Sequence, residues 1–384
     1  MTGLQGVRII DLGRFQAGPR SAMVLGDFGA EVIKVEAVGG EDMRRSGPFV
    51  EGHSITFAMY NRGKKSITLN LADPRAHSLF LGLVRCSDVV IENFIPGTLE
   101  KFGIGWATLR RVNPSLILVS VSGFGQEGSS RREPALDPML QARAGIAHVT
   151  GEVVGRPILT MAPIVDRSGA FHAAVGALVA LWERNITGLG KHVDVALYDC
   201  AIALLEKEIS DTHHMGRSIF KRWASPLQCR DGWVVVQAIR QGHWERIFAA
   251  IGRSDLAANP AYTSYAEGKG EVRPRLEALR EWARDRSAEE VLATAYKADV
   301  PCAKCQTLEE VIRDPYMVER QPMAEVDVGD GHPMLVPGPP ARMEGLTWRP
   351  QRAPKAGEHN SEILQGLLGL SEDEMQELLH VRAV

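Results

Sequence analysis

One aspartate stands where a carboxylate is chemically unusual. Asp166 lies in the segment 163–169, which reads PIVDRSG and leads into an apolar stretch rich in small residues. A carboxylate in such a place is costly unless it is solvated, paired or capping a helix. Two interpretations are therefore open at this point. Asp166 is an N-cap aspartate, or it is a nucleophile that forms a covalent acyl or phosphoryl intermediate.

Two loops between predicted elements have features that suit a ligand. Residues 15–19 (FQAGP) lie between a strand and a helix, where Gly18 permits close approach to the backbone and the first helical N–H groups attract anions. Their spacing is not G-x-G-x-x-G, so the dinucleotide fingerprint is absent. Residues 92–97 (ENFIPG) follow an apolar strand, and an Asn amide with a Phe ring suits an adenine or an amide-bearing chain. An ordinary turn and a plain loop are the alternatives.

Two further groups of residues have spacings that metal sites use. Cys302 and Cys305 form a C-x-x-C pair, but there is no second cysteine pair, nearby histidine pair or thioredoxin-like context. His213 and His214 have no clear third ligand. We therefore predict no metal site.

The elements that must position these residues alternate along the first third of the chain. Short apolar runs at 7–12, 31–35, 66–71, 88–91 and 116–121 predict strands, and 19–28 and 73–86 predict helices. Continuous apolar strands are typical of parallel sheets that helices cover on both faces. The alternation predicts a doubly wound α/β domain.

The longest apolar stretch is a predicted core helix. Residues 170–182 are apolar all round and include many alanines, which predicts a helix buried inside the domain. The stretch is shorter than the ~20 residues that span a bilayer, and it contains His172. We therefore expect no membrane partner.

The remainder of the chain predicts three regions. We place a large domain at 1–224, a small domain at 225–325, and a crossing segment with two returning helices at 326–384. In the small domain, 233–237 predicts a strand, and 243–251, 272–284 and 288–297 predict amphipathic helices. The proline-rich stretch from about 320 to 354 predicts an extended segment.

Composition excludes several classes of protein. The 384 residues are 45% hydrophobic and 24% charged, which are ordinary globular values. The net charge is −3, so nucleic acid is not an expected partner. Five cysteines, an odd number, argue against a disulfide framework, and the N-terminus shows no signal-peptide pattern. We expect a cytoplasmic protein.

Several motifs in order resemble a known family. The chain resembles the class III CoA-transferases of the CaiB/BaiF family, which include formyl-CoA:oxalate CoA-transferase. The resemblance covers nearly the whole length. Its motifs are LQGVRIIDL at 4–12, QAGP at 16–19, GAEVIKVE at 29–36, NRGKKS at 61–66, ENF at 92–94 with PG at 96–97, NP at 113–114, VSVSGFG at 119–125, DVALYD at 194–199 and GEH at 357–359.

The resemblance implies a fold and a set of site residues. The family's fold is an interlocked homodimer in which each subunit has a Rossmann-like large domain, completed by the C-terminus, and a smaller α+β domain. Asp166 falls on the catalytic aspartate. The positions that hold coenzyme A (CoA) fall on Gln16, Ala17, Leu69, Asn93, Phe94 and Lys101.

The resemblance also implies a reaction. CoA would pass from an acyl-CoA to a small carboxylic acid through a covalent intermediate on Asp166, with no metal. Backbone N–H groups near Gly169 would hold the developing oxyanion. One alternative is a CoA-ester racemase or isomerase of the same superfamily, with Asp137 or His172 as acid and base. Another is a non-catalytic acyl-CoA-binding protein. The donor and the acceptor stay open.

Overall fold

The chain folds into two compact units. The computed structural model describes residues 3–216, 226–240, 242–263, 272–328 and 331–384. The large unit holds the chain up to Glu206 together with Gln321–Val384, and the small unit holds Lys207–Arg320. The boundary predicted at 224–225 lies outside the described residues, and the three predicted domains stay a prediction.

Short strands recur along the described residues in both units. They are β1 (Arg8–Asp11), β2 (Glu31–Glu36), β3 (Phe49–Val50), β4 (His53–Ser54), β5 (Lys65–Thr68), β6 (Val89–Glu92), β7 (Ile117–Ser122), β8 (His192–Ala196), β9 (Pro226–Cys229), β10 (Gly232–Val236), β11 (Cys302–Lys304), β12 (Met323–Asp327) and β13 (Pro333–Pro337).

Helices of four or more residues alternate with these strands. They are α1 (Ala17–Asp27), α2 (Ile55–Asn61), α3 (Pro74–Arg85), α4 (Thr98–Lys101), α5 (Trp106–Val112), α6 (Asp137–Ala144), α7 (Ile146–Gly151), α8 (Ile164–Thr187), α9 (Leu197–Ala203), α10 (Glu206–Met215), α11 (His243–Ala250), α12 (Ser254–Ala257), α13 (Pro260–Thr263), α14 (Val272–Arg284), α15 (Ala288–Lys297), α16 (Leu308–Ile312), α17 (Pro315–Arg320), α18 (Asn360–Leu364) and α19 (Glu372–His380).

A six-stranded sheet organises the large unit. Its order is β5-β2-β1-β6-β7-β8, and every neighbouring pair is parallel. The predicted strands are confirmed within one or two residues at most ends, and so is the mixed α/β class with a parallel sheet. The strand order reverses between β1 and β6, because the chain first extends the sheet from β1 through β2 to β5 and then returns.

Two apolar layers cover the two faces of this sheet. Side chains alternate along each strand, so Ile9 lies in one core and Ile10 in the other. Helices α1 and α8 pack on the first face. Helix α3 and the last two helices pack on the second. The continuous apolar runs of the sequence are thus explained by burial on both faces.

The C-terminal helices complete the second layer, as the sequence predicted. Ile363 and Leu364 of α18 and Met375 and Leu378 of α19 are buried in the same core as α3. Asn360 fastens this segment to the end of β5, where its Oδ1 accepts from the backbone N–H of Thr68 at 2.9 Å.

The proline-rich segment folds back on itself in a hairpin that the sequence did not predict. Strands β12 and β13 form an antiparallel hairpin inside it, and the hairpin packs on α2. The prolines do not prevent pairing because Pro333 and Pro337 occupy the two ends of β13. Apolar residues between them alternate as a half-buried strand requires, with Met334 and Val336 buried.

Helix α8 is longer and more one-sided than the sequence predicted. Its small residues, such as Ala173, Ala177 and Ala180, are buried against the sheet layer. Phe171 and Trp182 on the opposite face are exposed, so the helix is not buried all round within the chain. By length and composition alone its 24 residues would suffice to cross a membrane, a test that the core helix of a soluble protein also passes.

The small unit is built on a short antiparallel sheet. Its strand order is β11-β10-β9, and α11, α14 and α15 supply most of its apolar core. The strand predicted at 233–237 and the three predicted amphipathic helices are present in these positions.

Candidate active site

The two loops singled out from the sequence meet at the carboxyl edge of the large sheet. They follow β1 and β6, which are neighbours at the point where the strand order reverses. Open α/β sheets bind ligands in the crevice at such a point. The side-chain amide of Asn93 joins the loops, since its Oδ1 accepts from the Arg14 N–H at 2.7 Å and its Nδ2 donates to the Arg14 carbonyl at 2.8 Å.

This double hydrogen bond gives Asn93 a positioning task. Each polar atom of its side chain makes one hydrogen bond with the backbone of Arg14, which orients the amide and leaves one Nδ2 hydrogen and one Oδ1 lone pair for a ligand. Gly18 makes the close approach sterically accessible, because a Cβ at that position would lie 3.1 Å from Cγ of Asn93. Phe15, the residue after Arg14, has a left-handed φ of 61°, a conformation that is uncommon for a residue with a side chain.

A buried ionic cluster of Asp11, Lys34 and Lys64 holds the backbone of the first loop. Lys64 Nζ donates to Asp11 Oδ2 at 2.7 Å and to the Pro19 carbonyl at 2.8 Å. Lys34 Nζ donates to the Gly13 carbonyl at 2.8 Å, and Asp11 Oδ1 accepts from the Gly13 N–H at 2.8 Å. These bonds fix the backbone on both sides of Gln16.

The two polar atoms of the Gln16 side-chain amide differ in their hydrogen bonding. It lies at the N-cap position of α1 and its side chain caps no backbone group. Its Oε1 accepts a 2.6 Å hydrogen bond from the hydroxyl of Tyr60, and both residues are buried. Its Nε2 is buried and has no hydrogen-bond partner among the described residues. No sequence motif singled out Tyr60 as a partner of Gln16, from which it lies 44 positions away.

The second loop is held by the carboxyl group of Glu92, to which the sequence analysis assigned no role of its own. Glu92, the last residue of β6, accepts from the Phe94 N–H at 2.7 Å. Burial raises the pKa of Glu92 to about 7, although Ser120 and the Phe94 N–H oppose the rise. Phe94 itself is half-buried and packs against the second core.

The other predicted CoA-binding residues lie around the same edge. Ala17 is the buried first residue of α1. Leu69 follows β5, and its side chain is buried in the second core. Lys101 ends the short helix α4 after β6 and is exposed. The binding roles of these residues stay predictions.

Asp166 is not the N-cap residue of its helix, which corrects one of the two interpretations. The N-cap of α8 is Pro163, and Asp166 is the third helical residue. The capping carboxylate comes from another element, because Oδ2 of Asp137 accepts from Val165 N–H at 2.8 Å and from Asp166 N–H at 3.0 Å. Gln141 donates to the other oxygen of Asp137 at 2.5 Å.

The carboxylate of Asp166 is left without a donor. Among the residues that the structure describes, none donates a hydrogen bond to its side chain, which is half-buried. Burial is the main cause that raises the pKa of Asp166 to about 7, and the negative charge of Asp137 adds to the rise. A weakly solvated carboxylate that ionises near neutral pH is a more reactive nucleophile than a surface aspartate.

Helix direction brings Gln16 and Asp166 to the same edge. Helix α1 follows β1 and α8 precedes β8, so both helices run antiparallel to the strands and begin at the carboxyl edge. The two helices pack together on one face of the sheet. Arg20, one turn into α1, stacks its guanidinium 5.7 Å from the ring centre of Phe171 in α8. The N-cap of one helix and the first turn of the other therefore lie at the same edge of the sheet.

Two further expectations concern groups in or beside this helix. Gly169 is the sixth residue of α8, where a backbone N–H donates to the preceding turn, so it is not an oxyanion donor. Asp137, considered as an acid or base for a racemase, has both oxygens engaged in hydrogen bonds. His172 is exposed, and its Nδ1 lies 2.9 Å from the Ser168 carbonyl.

Known proteins are similar in sequence to this chain over nearly its whole length. Residues 4–360 match the sequence model of CoA-transferase family III. The chain is 36% identical to succinyl-CoA:mesaconate CoA-transferase of Haloarcula marismortui, covering 95% of this chain and 96% of that protein. It is 30% identical to formyl-CoA:oxalate CoA-transferase of Rhodopseudomonas palustris, covering 98% of this chain and 95% of that protein.

A solved structure agrees with the sequence comparison. The crystal structure of a CaiB/BaiF family protein from Brucella suis superposes with a TM-score of 0.82 at 30% identity, covering 95% of this chain and 99% of that one. The resemblance seen in the sequence is confirmed. The chain belongs to CoA-transferase family III, and it is a CoA-transferase.

Proposed function

We propose that this enzyme moves CoA from an acyl-CoA to a carboxylic acid through a covalent intermediate on Asp166. The observation that carries the proposal is the environment of that side chain. A half-buried carboxylate, to which none of the described residues donates a hydrogen bond, lies in the first turn of α8, at the sheet edge where α1 begins. An aspartate with only a structural task would be expected to have hydrogen-bonding partners, as Asp137 has.

The reaction needs no net proton transfer. A carboxylate oxygen of Asp166 attacks the thioester carbonyl, the C–S bond breaks, and CoA leaves as a thiolate beside an acyl-aspartyl anhydride. The thiolate then attacks Cγ of Asp166 and releases the donor acid as a carboxylate. The acceptor carboxylate attacks the resulting aspartyl-CoA thioester at Cγ and again expels the thiolate. Attack of that thiolate on the acceptor's acyl carbon forms the new acyl-CoA and frees Asp166.

The proposed substrates are a CoA thioester and a dicarboxylic acid. The names of both relatives pair a CoA thioester with mesaconate or oxalate, each of which carries two carboxylates. Coverage of nearly the full length of both chains supports carrying that class to this enzyme. Which thioester and which acid it uses are questions for a substrate panel.

We further propose that the large unit binds CoA in the manner of Rossmann-like folds. Counted along its own strands, the large sheet has the order 3-2-1-4-5-6, which is the order of the doubly wound nucleotide-binding fold. The proposed CoA contacts are Gln16, Ala17, Leu69, Asn93, Phe94 and Lys101. Their loops all follow strands at the edge where Asp166 lies.

Covalent trapping tests the mechanism most directly. The enzyme is incubated with acyl-CoA alone and then with hydroxylamine, which converts either the anhydride or the thioester on Asp166 to a hydroxamate. We expect the hydroxamate on the peptide that contains Asp166, detected by mass spectrometry. Turnover of an acyl-CoA without any adduct would favour the racemase, and binding without turnover would favour the acyl-CoA-binding protein.

Substitution of Phe94 tests the CoA-binding loop. Phe94→Ala should weaken CoA binding by about 1–3 kcal/mol if the ring stacks on the adenine, by analogy with bases stacked on protein aromatics. Calorimetry on the folded variant measures the change. Phe102→Ala, at the end of α4, is the matched control, since Phe102 is exposed and is not among the proposed contacts. Unchanged affinity in Phe94→Ala would remove this loop from the site.

We also propose that the enzyme is a homodimer. Helix α8 exposes one continuous apolar face, formed by Phe171, Val175, Leu178, Val179, Trp182 and Ile186. Trp182 and Ile186 are 71% and 74% exposed within a single chain. A contiguous apolar face of this kind marks an interaction site, and a symmetric partner of the same chain presents the same face to it.

Sedimentation across a range of concentrations tests the dimer. Val179→Asp should weaken association, whereas Leu308→Asp, which changes an exposed apolar residue of the small unit, should not. A stable and active wild-type monomer at nanomolar concentration would contradict the proposal.

A further inference from the structure

We infer that Tyr60 is a positioning residue that holds the Gln16 amide with its NH₂ group directed to the carbonyl oxygen of the bound acyl-CoA. The inference rests on the proposed function, because it assigns the acceptor for Nε2 as the group that Asp166 attacks. Tyr60 lies in α2 and Gln16 at the start of α1, so the two side chains meet only in the folded chain.

The first step is that the two polar atoms of the Gln16 amide differ in their hydrogen bonding. Oε1 accepts from the Tyr60 hydroxyl at 2.6 Å, whereas the buried Nε2 has no partner among the described residues. A buried amide donor is costly when it is unpaired. Such a group in a ligand crevice is expected to meet an acceptor on the ligand.

The second step is the direction of the hydrogen bond. A tyrosine hydroxyl can donate or accept, so the bond length alone leaves both orientations of the amide open. Arg20 decides between them. Its positively charged guanidinium is within electrostatic range of the Tyr60 side chain. A neighbouring guanidinium attracts the phenolic oxygen and repels its hydrogen, which turns the O–H toward Gln16.

The third step is the place of the free NH₂ group. Gln16 occupies the N-cap position of α1 at the edge where α8 also begins, and Asp166 lies in the first turn of α8. When Asp166 attacks a thioester, negative charge develops on the carbonyl oxygen. A fixed donor aimed at that oxygen stabilises the transition state more than the ground state. Gln16 supplies the donor that Gly169, inside its helix, does not.

A binding cycle tests the inference without requiring turnover. The probes are CoA itself, which has no acyl carbonyl, and a ketone analogue of acyl-CoA in which a methylene replaces the thioester sulfur. Calorimetry compares wild type, Tyr60→Phe, Gln16→Leu and the double variant. Tyr60→Phe should weaken analogue binding about 5-fold, the equivalent of one hydrogen bond. CoA binding should change less than about 2-fold.

The double variant separates positioning from a general structural role. If Tyr60 acts through Gln16, adding Tyr60→Phe to Gln16→Leu should cause no further loss. Additive losses, or equal losses for CoA and the analogue, would overturn the inference, and so would wild-type binding by Tyr60→Phe. Tyr262→Phe, in the small unit, is the matched control and should bind both probes normally.

A second variant guards against misfolding of the first. Gln16→Glu keeps an oxygen to accept from Tyr60 but replaces the NH₂ group with an oxygen that repels a carbonyl. It should lose the preference for the analogue over CoA, and circular dichroism establishes that the variant is folded. Retained preference in Gln16→Glu would also overturn the inference.

Steady-state kinetics supply a readout that a merely structural role would not move. Tyr60→Phe should lower kcat about 10-fold with little change in KM for the donor, because the bond to the oxyanion strengthens in the transition state. A rise in KM with normal kcat would contradict the assignment. If wild type forms no adduct on Asp166, the proposed function fails, and the binding cycle still decides the role of Tyr60.

Discussion

Two aspartates at the carboxyl edge of the large sheet, one fully buried and one half-buried, have opposite electrostatic surroundings. Asp11 ends β1 and is fully buried, with Lys64 Nζ at 2.7 Å and Lys34 Nζ at 3.9 Å from its Oδ2. Asp166 lies in the first turn of α8 and has no donor among the described residues. Burial raises the pKa of both carboxyl groups, but the two lysines outweigh it at Asp11, whose pKa is lowered. At Asp166 nothing opposes burial, and Asp137 reinforces it.

The comparison shows that neighbouring charges, and not burial alone, separate a structural carboxylate from a reactive one. Asp11 is neutralised and holds the Gly13 backbone, so its lone pairs are occupied. Asp166 keeps its lone pairs available and ionises near neutral pH. The lysines that make Asp11 inert also anchor the loop that carries Gln16, so the two carboxylates contribute to one site in different ways.

Removal of the Asp166 charge should have the largest effect. Asp166→Asn keeps the size of the side chain and removes the nucleophilic oxygen, so turnover should fall by several orders of magnitude. Stability at pH 8 should not decrease, because an amide avoids the cost of ionising a carboxyl group whose pKa is raised. Steady-state kinetics and thermal unfolding measure the two quantities.

The control for that substitution is another first-turn aspartate. Asp373→Asn in α19 removes an exposed carboxylate and should leave turnover unchanged. Full activity of Asp166→Asn, after mass spectrometry has excluded deamidation to aspartate, would end the covalent mechanism and remove the contrast with Asp11.

The second-largest effect should be a lower free energy of unfolding when a cation beside Asp11 is removed. Lys64→Met leaves a buried carboxylate with its closer partner removed, which costs about 3–5 kcal/mol when a buried pair is broken. Denaturant unfolding measures the loss. Lys65→Met is the matched control, because Lys65 pairs with Glu31 and Glu362 at a half-exposed site and should cost less than about 1 kcal/mol. Equal losses for both variants would show that the cluster at Asp11 is not special.

The smallest expected effect is a displaced pH profile. Activity of the wild type should rise as pH increases through about 7, because Asp166 must be ionised to attack. Asp137→Asn removes the neighbouring negative charge but keeps an oxygen to cap Val165 and Asp166. The rise should then occur a fraction of a pH unit lower, since burial, the larger cause, remains.

The pH dependence of kcat/KM measures that displacement. Glu133→Gln removes an exposed carboxylate that pairs with Arg143, and it should leave the profile in place. A profile that moves to higher pH in Asp137→Asn would contradict the electrostatic account of Asp166.

Much of the fold was predictable from local sequence pattern. The apolar runs placed β1, β6 and β7 because strands buried on both faces need apolar side chains at every position. Asp73 and Pro74 marked the start of α3, and the structure shows the Asp73 side chain capping Arg75 N–H. The hairpin in the proline-rich segment was missed, because the three residues between Pro333 and Pro337 are all apolar and show no alternation with polar residues.

The candidate site was predictable only in part. The loops at Gln16 and Asn93 were identified because they follow strands, and the edge of a parallel sheet collects such loops. The N-cap interpretation of Asp166 was wrong, since the capping carboxylate comes from Asp137, 29 positions earlier. The outward apolar face of α8 was read as core, because an apolar side chain is equally suited to a domain interior and to an interface.

The sequence by itself determined the α/β class, the family and the position of Asp166, because these depend on residue types and spacings along the chain. Only the tertiary structure decided which groups face one another across it: Lys64 on Asp11, Asp137 on the start of α8, and Tyr60 on Gln16. The physical reason is that hydrogen bonds and charges act over a few ångströms in space. The pKa of a carboxyl group and the direction of an amide therefore depend on neighbours that come from distant parts of the chain.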